Sequence, residues 1–200
     1  MEIQHVNVKL FVSDAEDVDL GAVIPVFHTW IQDQGDGELL LDVADYRHVH
    51  SGPGVVLIGH QGNYSLDNTG GRLGVRYNRK TVLEGTNQDR LVQATKAALA
   101  ACRRLESEPR LEGKIQFNGH EIEVVVNDRL LAPNKPETRQ AADLEFHTFF
   151  TALFGDAQYV LSYPQDVRSL FSIRAKTAQT FDTQALLNNL NSTVASTRGR

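Results

Sequence analysis

Cysteine is nearly missing from this sequence. The single one, Cys102, has no partner within the chain, which excludes an internal disulfide and a thiolate metal cluster. Concentrated positive charge is missing too. Twenty Lys and Arg stand against twenty-five Asp and Glu, for a formal charge of −5. Binding along a phosphate backbone needs a local positive field, so nucleic acid is not an expected partner. No apolar run approaches the roughly 20 residues of a membrane-spanning helix, so no membrane is expected either. The opening MEIQHVNVKL has no basic stretch followed by an apolar one, and the expected location is therefore the cytoplasm. The phosphate-binding and hydrolase signatures are also lacking. GPGVVLIGHQG has loosely spaced glycines, but it precedes a strand rather than a helix and carries no GK[ST]. No GxSxG surrounds Ser65, and the HE at His120-Glu121 has no second helical histidine.

What is present is the composition of a folded domain. Of 200 residues, 41% are hydrophobic and 22% charged, enough for a sizeable core without covalent staples. Alternation of Val6, Val8, Leu10 and Val12 predicts a strand over residues 3–12. Pro25 suits a first helical turn, and a helix is predicted from Ile24 to Gln32, ended by the turn chemistry of QGDG. Strands follow over 38–49, 54–61 and 72–79. Leu91, Ala94, Ala98, Cys102 and Leu105 recur at helical spacing and define a helix from Asn87 to Ser107, with Cys102 a packed thiol on its apolar stripe. KIQFNGHEIEVVV reads as a hairpin turning at Asn118-Gly119. Pro136 opens a helix to Phe154 that stops at Gly155. Strands over 157–163 and 168–176 complete the pattern, with a short helix at 183–190 in a polar tail.

The order strand, helix, strand, strand occurs over 3–61 and again over 121–176, and both helices carry Phe-His-Thr, at Phe27-His28-Thr29 and Phe146-His147-Thr148. The expected fold is α+β: a mostly antiparallel sheet from two βαββ-like halves, 1–85 and 113–178, joined by the helix at 87–107. Residues 1–178 form one domain and 179–200 a tail. His28 and His147 each follow a phenylalanine of the inner stripe, which suits hydrogen-bonded histidines at the edge of the core.

The chemistry concentrates in DYRHVHSGPGVVLIGHQGNYSLD, residues 45–67. Strand alternation puts His48 and His50 on one face, a natural metal pair. If Gly52-Pro53 is the whole loop, Asp45 pairs with His60, and the couple could serve as a general base with Tyr64 or Ser65 beside it. If the loop is one residue longer, Tyr46 pairs with His60 instead. His60 then joins His48 and His50, with Asp67 or Tyr64 close by, and a divalent metal such as zinc is the cofactor such a set would hold. Proline at the second loop position favours the longer loop. Gly59 and Gly62 mark a bulge or a close backbone approach, and with Tyr46 they are the candidate ligand-binding positions. Elsewhere, Arg72, Arg76, Arg79 and Lys80 could meet an anion or guard a strand edge, and Glu121 and Glu123 fit an edge-strand charge pattern.

Two functions follow. One is a small-ligand or metal-binding protein, whose enzymatic version has catalytic candidates His60, Asp45 and Tyr64 and whose metal candidates are His48, His50 and His60. The other is a non-catalytic module that self-associates or binds a partner through exposed aromatics such as Trp30, Tyr46 or Phe171. A homodimer suits either.

Overall fold

The computed structural model of the protein describes residues 1–33 and 37–198, with side chains through residue 192. Most of the QGDG stop expected after the first helix lies outside these residues. The first strand, β1 (Val6–Val12), turns Val6, Val8 and Leu10 to one face and Asn7, Lys9 and Phe11 to the other, and all six are buried. After α1 (Val23–Asp33) the chain runs through a meander of four strands: β2 (Leu40–Tyr46), β3 (Gly54–Gly59), β4 (Gly62–Asp67) and β5 (Gly74–Arg79). α2 (Asn87–Glu106) leads to β6 (Phe117–Val126) and α3 (Pro136–Phe154). β7 (Tyr159–Ser162), β8 (Phe171–Thr177) and α4 (Thr183–Arg198) complete the chain. The strands form one antiparallel sheet in the order β2-β3-β4-β5-β1-β6-β8-β7, so the α+β class read from the sequence holds. Among the described residues no helix is long and apolar enough to cross a membrane.

The helices gather on one face of the sheet, where their apolar stripes meet Val8, Leu57, Leu66, Val75, Val124 and Ile173 in a single core. Each such side chain taken out of water contributes about 1.5–3 kcal/mol. Thr86 starts α2 with a capping box: it accepts from the Asp89 backbone N–H, and the Asp89 carboxylate accepts from the Thr86 N–H. Leu91, Ala94, Ala98, Cys102 and Leu105 then bury the inner stripe, and burial pushes the Cys102 thiol well up, as suits an inert packed cysteine. α3 begins on Pro136 and ends at Gly155, whose φ of 61° and N–H to the Thr151 carbonyl close the last turn. α4 extends beyond the predicted short helix and buries Leu186 and Leu190.

The structure differs from the sequence reading at two elements. β4 was not predicted, because GNYSLD is polar and opens on glycine; it pairs with β3 and β5 and makes the meander continuous. Asn118-Gly119 does not turn the chain. It lies inside β6, where Gly119 takes φ 58° and the Phe181 N–H reaches the Asn118 carbonyl at 2.8 Å. A Cβ on Gly119 would strike the Phe181 carbonyl, so this glycine admits the segment entering α4. The element order β1-α1-β2-β3 is followed by β4 and β5, which stand between β3 and β1 in the sheet, whereas in β6-α3-β7-β8 the last strand pairs directly with β6. In both Phe-His-Thr segments the phenylalanine is buried and the histidine exposed; His147 Nδ1 lies 3.1 Å from the Tyr159 hydroxyl.

Among the described residues the opposite face carries no α-helix, and much of it is polar. Lys9 is 1% exposed, and its ammonium lies 2.5 Å from Asp67 Oδ1. Asp67 also accepts from the backbone N–H and hydroxyl of Thr69. Burial lowers the Lys9 pKa by more than the Asp67 charge raises it. Arg76 stands between Asp67 at 3.6 Å and Glu123 at 3.4 Å, and Arg174 reaches Glu123 at 3.0 Å. Arg72 stacks on the Phe11 ring and bonds Glu121 at 2.6 Å. Burial pushes the Glu121 carboxyl up, but Arg72, Arg174 and Lys176 outweigh it and hold it below the usual range. Glu121 and Glu123 therefore belong to an interior strand, opposite Lys176 and Arg174, and not to an edge.

Candidate ligand cleft

The residues singled out in 45–67 divide between two ends of β3. The observed register pairs Tyr46 with Gly54 and Asp45 with Val55, unlike either expected alternative. Residues 47–53 all lie outside the ladder. Val49 N–H bonds the Tyr46 carbonyl, Gly52 N–H bonds the Val49 carbonyl, and Ser51 takes φ 50°. His48 and His50 sit in this loop, exposed. His60, also exposed, shares with Gln61 the tight turn into β4 at the far end of β3. At about 3.3 Å per residue, the strand separates it from the other two by roughly 20 Å. Among the described residues no group of three or more His, Cys, Asp or Glu is placed to hold a metal. Asp45 is engaged by Arg47, whose Nε and Nη2 donate at 2.9 and 2.7 Å, and these hydrogen bonds hold its carboxyl down to about 2. Ser65 and Asp67 are buried on the helix-free face. Of the aromatics considered for a surface patch, Tyr46 is exposed, whereas Trp30 and Phe171 belong to the core.

Tyr64, Gly59 and Gly62 do meet, on the helix side. Tyr64 stands on β4 across from Tyr77 on β5, with their rings 4.9 Å apart. A Cβ on Gly62 would lie 2.6 Å from the Tyr77 ring, and one on Gly59 would lie 3.1 Å from Glu38 Oε1. The close approach anticipated for these glycines is thus made at Gly62 by a neighbouring phenol ring and at Gly59 by the Gly62 carbonyl oxygen, 2.5 Å from such a Cβ, with the Glu38 carboxylate next. Gly62→Val should lower the unfolding free energy by about 1–3 kcal/mol, read as a reduced urea midpoint at unchanged m-value, because buried Tyr77 has no room to retreat.

Beside Tyr64 opens a cleft of about 520 Å³. Glu38 and Tyr64 form one wall, and Val92, Gln93, Lys96, Ala97 and Ala100 of α2 form the other. Alanines at 97 and 100 leave space that larger helix residues would fill. A narrower recess continues past Glu38 to Trp30, whose ring carries the Arg104 guanidinium at 4.5 Å. The Tyr64 hydroxyl donates to Glu38 Oε2 at 2.8 Å, and Gln93 Nε2 donates to the Tyr77 hydroxyl at 3.3 Å. Glu38 Oε1 and Gln93 Oε1 are buried with no donor. An acceptor left in that state costs about 1–3 kcal/mol. The wall can therefore receive N–H or O–H donors from a ligand, with an apolar body against Val92, Ala97 and Ala100. Glu38, Gln93 and Lys96 escaped the sequence reading, since nothing local distinguishes them from ordinary surface residues. Tyr64 was the legible part; Gly59 and Gly62 do not line the cleft.

No protein-family model matches the chain, and no curated protein matches it in sequence.

Proposed function

We propose that the protein binds a small organic amine in the cleft between α2 and β4. The observation that carries this reading is the pair of donorless buried acceptors, Glu38 Oε1 on one wall and Gln93 Oε1 on the other. An ammonium is the donor that best compensates a half-buried carboxylate, because it supplies charge as well as hydrogen bonds. Lys96 at the rim can meet a second, anionic group on the same molecule. Of the residues singled out in 45–67, Tyr64 lines this cleft, while Gly59, Gly62 and the histidines do not.

Thermal unfolding with a panel of small amines and amino acids, each against its neutral amide or alcohol counterpart, tests the reading. A cognate amine at 100 times its Kd adds about 2.7 kcal/mol to the stability of the wild type. Glu38→Gln should weaken that amine by about tenfold or more, the loss of one charge-assisted bond. If amines and their neutral counterparts leave the melting temperature at its buffer value, the proposal fails.

A further inference from the structure

We propose a second site, on the helix-free face, for a polyhydroxylated anion such as a sugar phosphate or sugar acid. The register pairs Asn63 with Asn78 and Asn78 with Asn7, so three carboxamides stand side by side on β4, β5 and β1. Neighbouring strands lie about 4.8 Å apart, close enough for such amides to bond one another in a ladder. Here they do not. The Oδ1 atoms of Asn7, Asn63 and Asn78 are all buried and all without a partner, and Asn7 is only 6% exposed. Buried polar atoms are nearly always satisfied, and three adjacent exceptions mark a place where donors arrive from outside.

Asn63 and Asn78 line a cavity of about 650 Å³, and Asn7 continues their row. Arg79, Lys80 and Arg129 line the same cavity, with Asp128 the single carboxylate among them. Arg79 is anchored by Nε to the Thr81 carbonyl and by Nη1 to Gln61 Oε1, and the Asp128 carboxylate caps the backbone N–H groups of Leu130 and Leu131. The balance of charge is positive. His5 also lines the cavity; its backbone is held at φ 52°, and its carbonyl accepts from the Asn127 N–H. A left-handed histidine is kept where surrounding structure fixes it, and such residues collect at ligand sites. Among the described residues no Phe, Tyr or Trp lines the cavity, so a nucleobase has no large ring to stack on. Hydroxyls are the fitting donors for the amide row, and an anionic group fits the cations at its end.

Glucose 6-phosphate, gluconate, glucose and inorganic phosphate, titrated calorimetrically into the full chain, decide the matter. Glucose 6-phosphate or gluconate should bind, with glucose and phosphate each about tenfold weaker or worse, since each offers one half of the contacts. Asn78→Val should weaken the anionic polyol by about tenfold while the unliganded protein melts no lower than wild type, because an unpaired buried amide is exchanged for a residue that favours strands. Glu38→Gln should leave this binding unchanged, which separates the site from the amine cleft. Binding of phosphate as tight as that of glucose 6-phosphate, or Asn78→Val binding like wild type, overturns the proposal. So does failure of both anionic polyols to bind.

Discussion

Asp67→Leu is expected to lower the free energy of unfolding by about 3–5 kcal/mol, because it strands the Lys9 ammonium inside the sheet. Removing one member of a buried pair leaves the desolvation penalty of the other uncompensated. Arg76 sharpens the effect, since its guanidinium faces the same aspartate and would add like charge beside Lys9. Lys9→Met should cost less, because Asp67 keeps Arg76 and the two Thr69 donors. The double variant Lys9→Met, Asp67→Leu should recover much of the loss, since well-packed apolar residues often replace a buried pair at little cost. Urea unfolding of the three variants gives the order directly, and a double variant no better than Asp67→Leu alone would refute the pairing argument. There is a pH signature as well. The fold holds Lys9 below its ordinary pKa of 10.5, so the unfolded chain binds more proton there, and this group's contribution to stability rises as pH climbs towards that value.

Phe150→Ala should cost a comparable amount, about 3–5 kcal/mol, by a different route. Phe150 is fully buried at the hub of an aromatic cluster. Its ring centroid lies 6.2 Å from that of Phe146, 5.1 Å from Phe149, 6.1 Å from Phe154 and 6.0 Å from Tyr159. Truncation removes the transfer energy of the ring and opens a cavity whose walls are other rigid rings, which collapse poorly. Phe150→Leu keeps most of the volume and should lose clearly less. The difference between the two urea midpoints measures the cavity contribution; equal midpoints would mean that the cluster is loosely packed.

The two classes of interaction behind these predictions were unequally legible. The aromatic cluster announces itself locally, as Phe146, Phe149, Phe150 and Leu153 at helical spacing after Pro136, and the boundaries predicted for α3 match those observed. The periodic stripe of α2 was equally plain. Lys9 was invisible as a buried residue. In sequence it is a polar residue alternating with valines, which describes a solvated strand face equally well, and its partner stands on a strand that was not anticipated. The cleft failed for the same reason. His48, His50 and His60 are close in sequence, yet whether they meet depends on where the β2–β3 ladder stops, and a loop of special backbone conformations at Ser51 and Gly54 settles that. Glu38 and Gln93 come to one cleft only because α2 packs across β1 and β5. Alternation and capping are written within a few residues, whereas register and crossing are written between distant ones.

The position of β1 bears on how the chain is made. It is made before the other strands of the sheet, yet its two edges belong to β5, the last strand of the meander, and to β6, which emerges only after α2. The meander zips from neighbour to neighbour, while β1, inside the full sheet, is stitched in by the most distant pairings of all, such as Val8 with Val124. During synthesis a valine-rich ribbon, with a lysine destined for burial, therefore waits in water for a partner not yet translated.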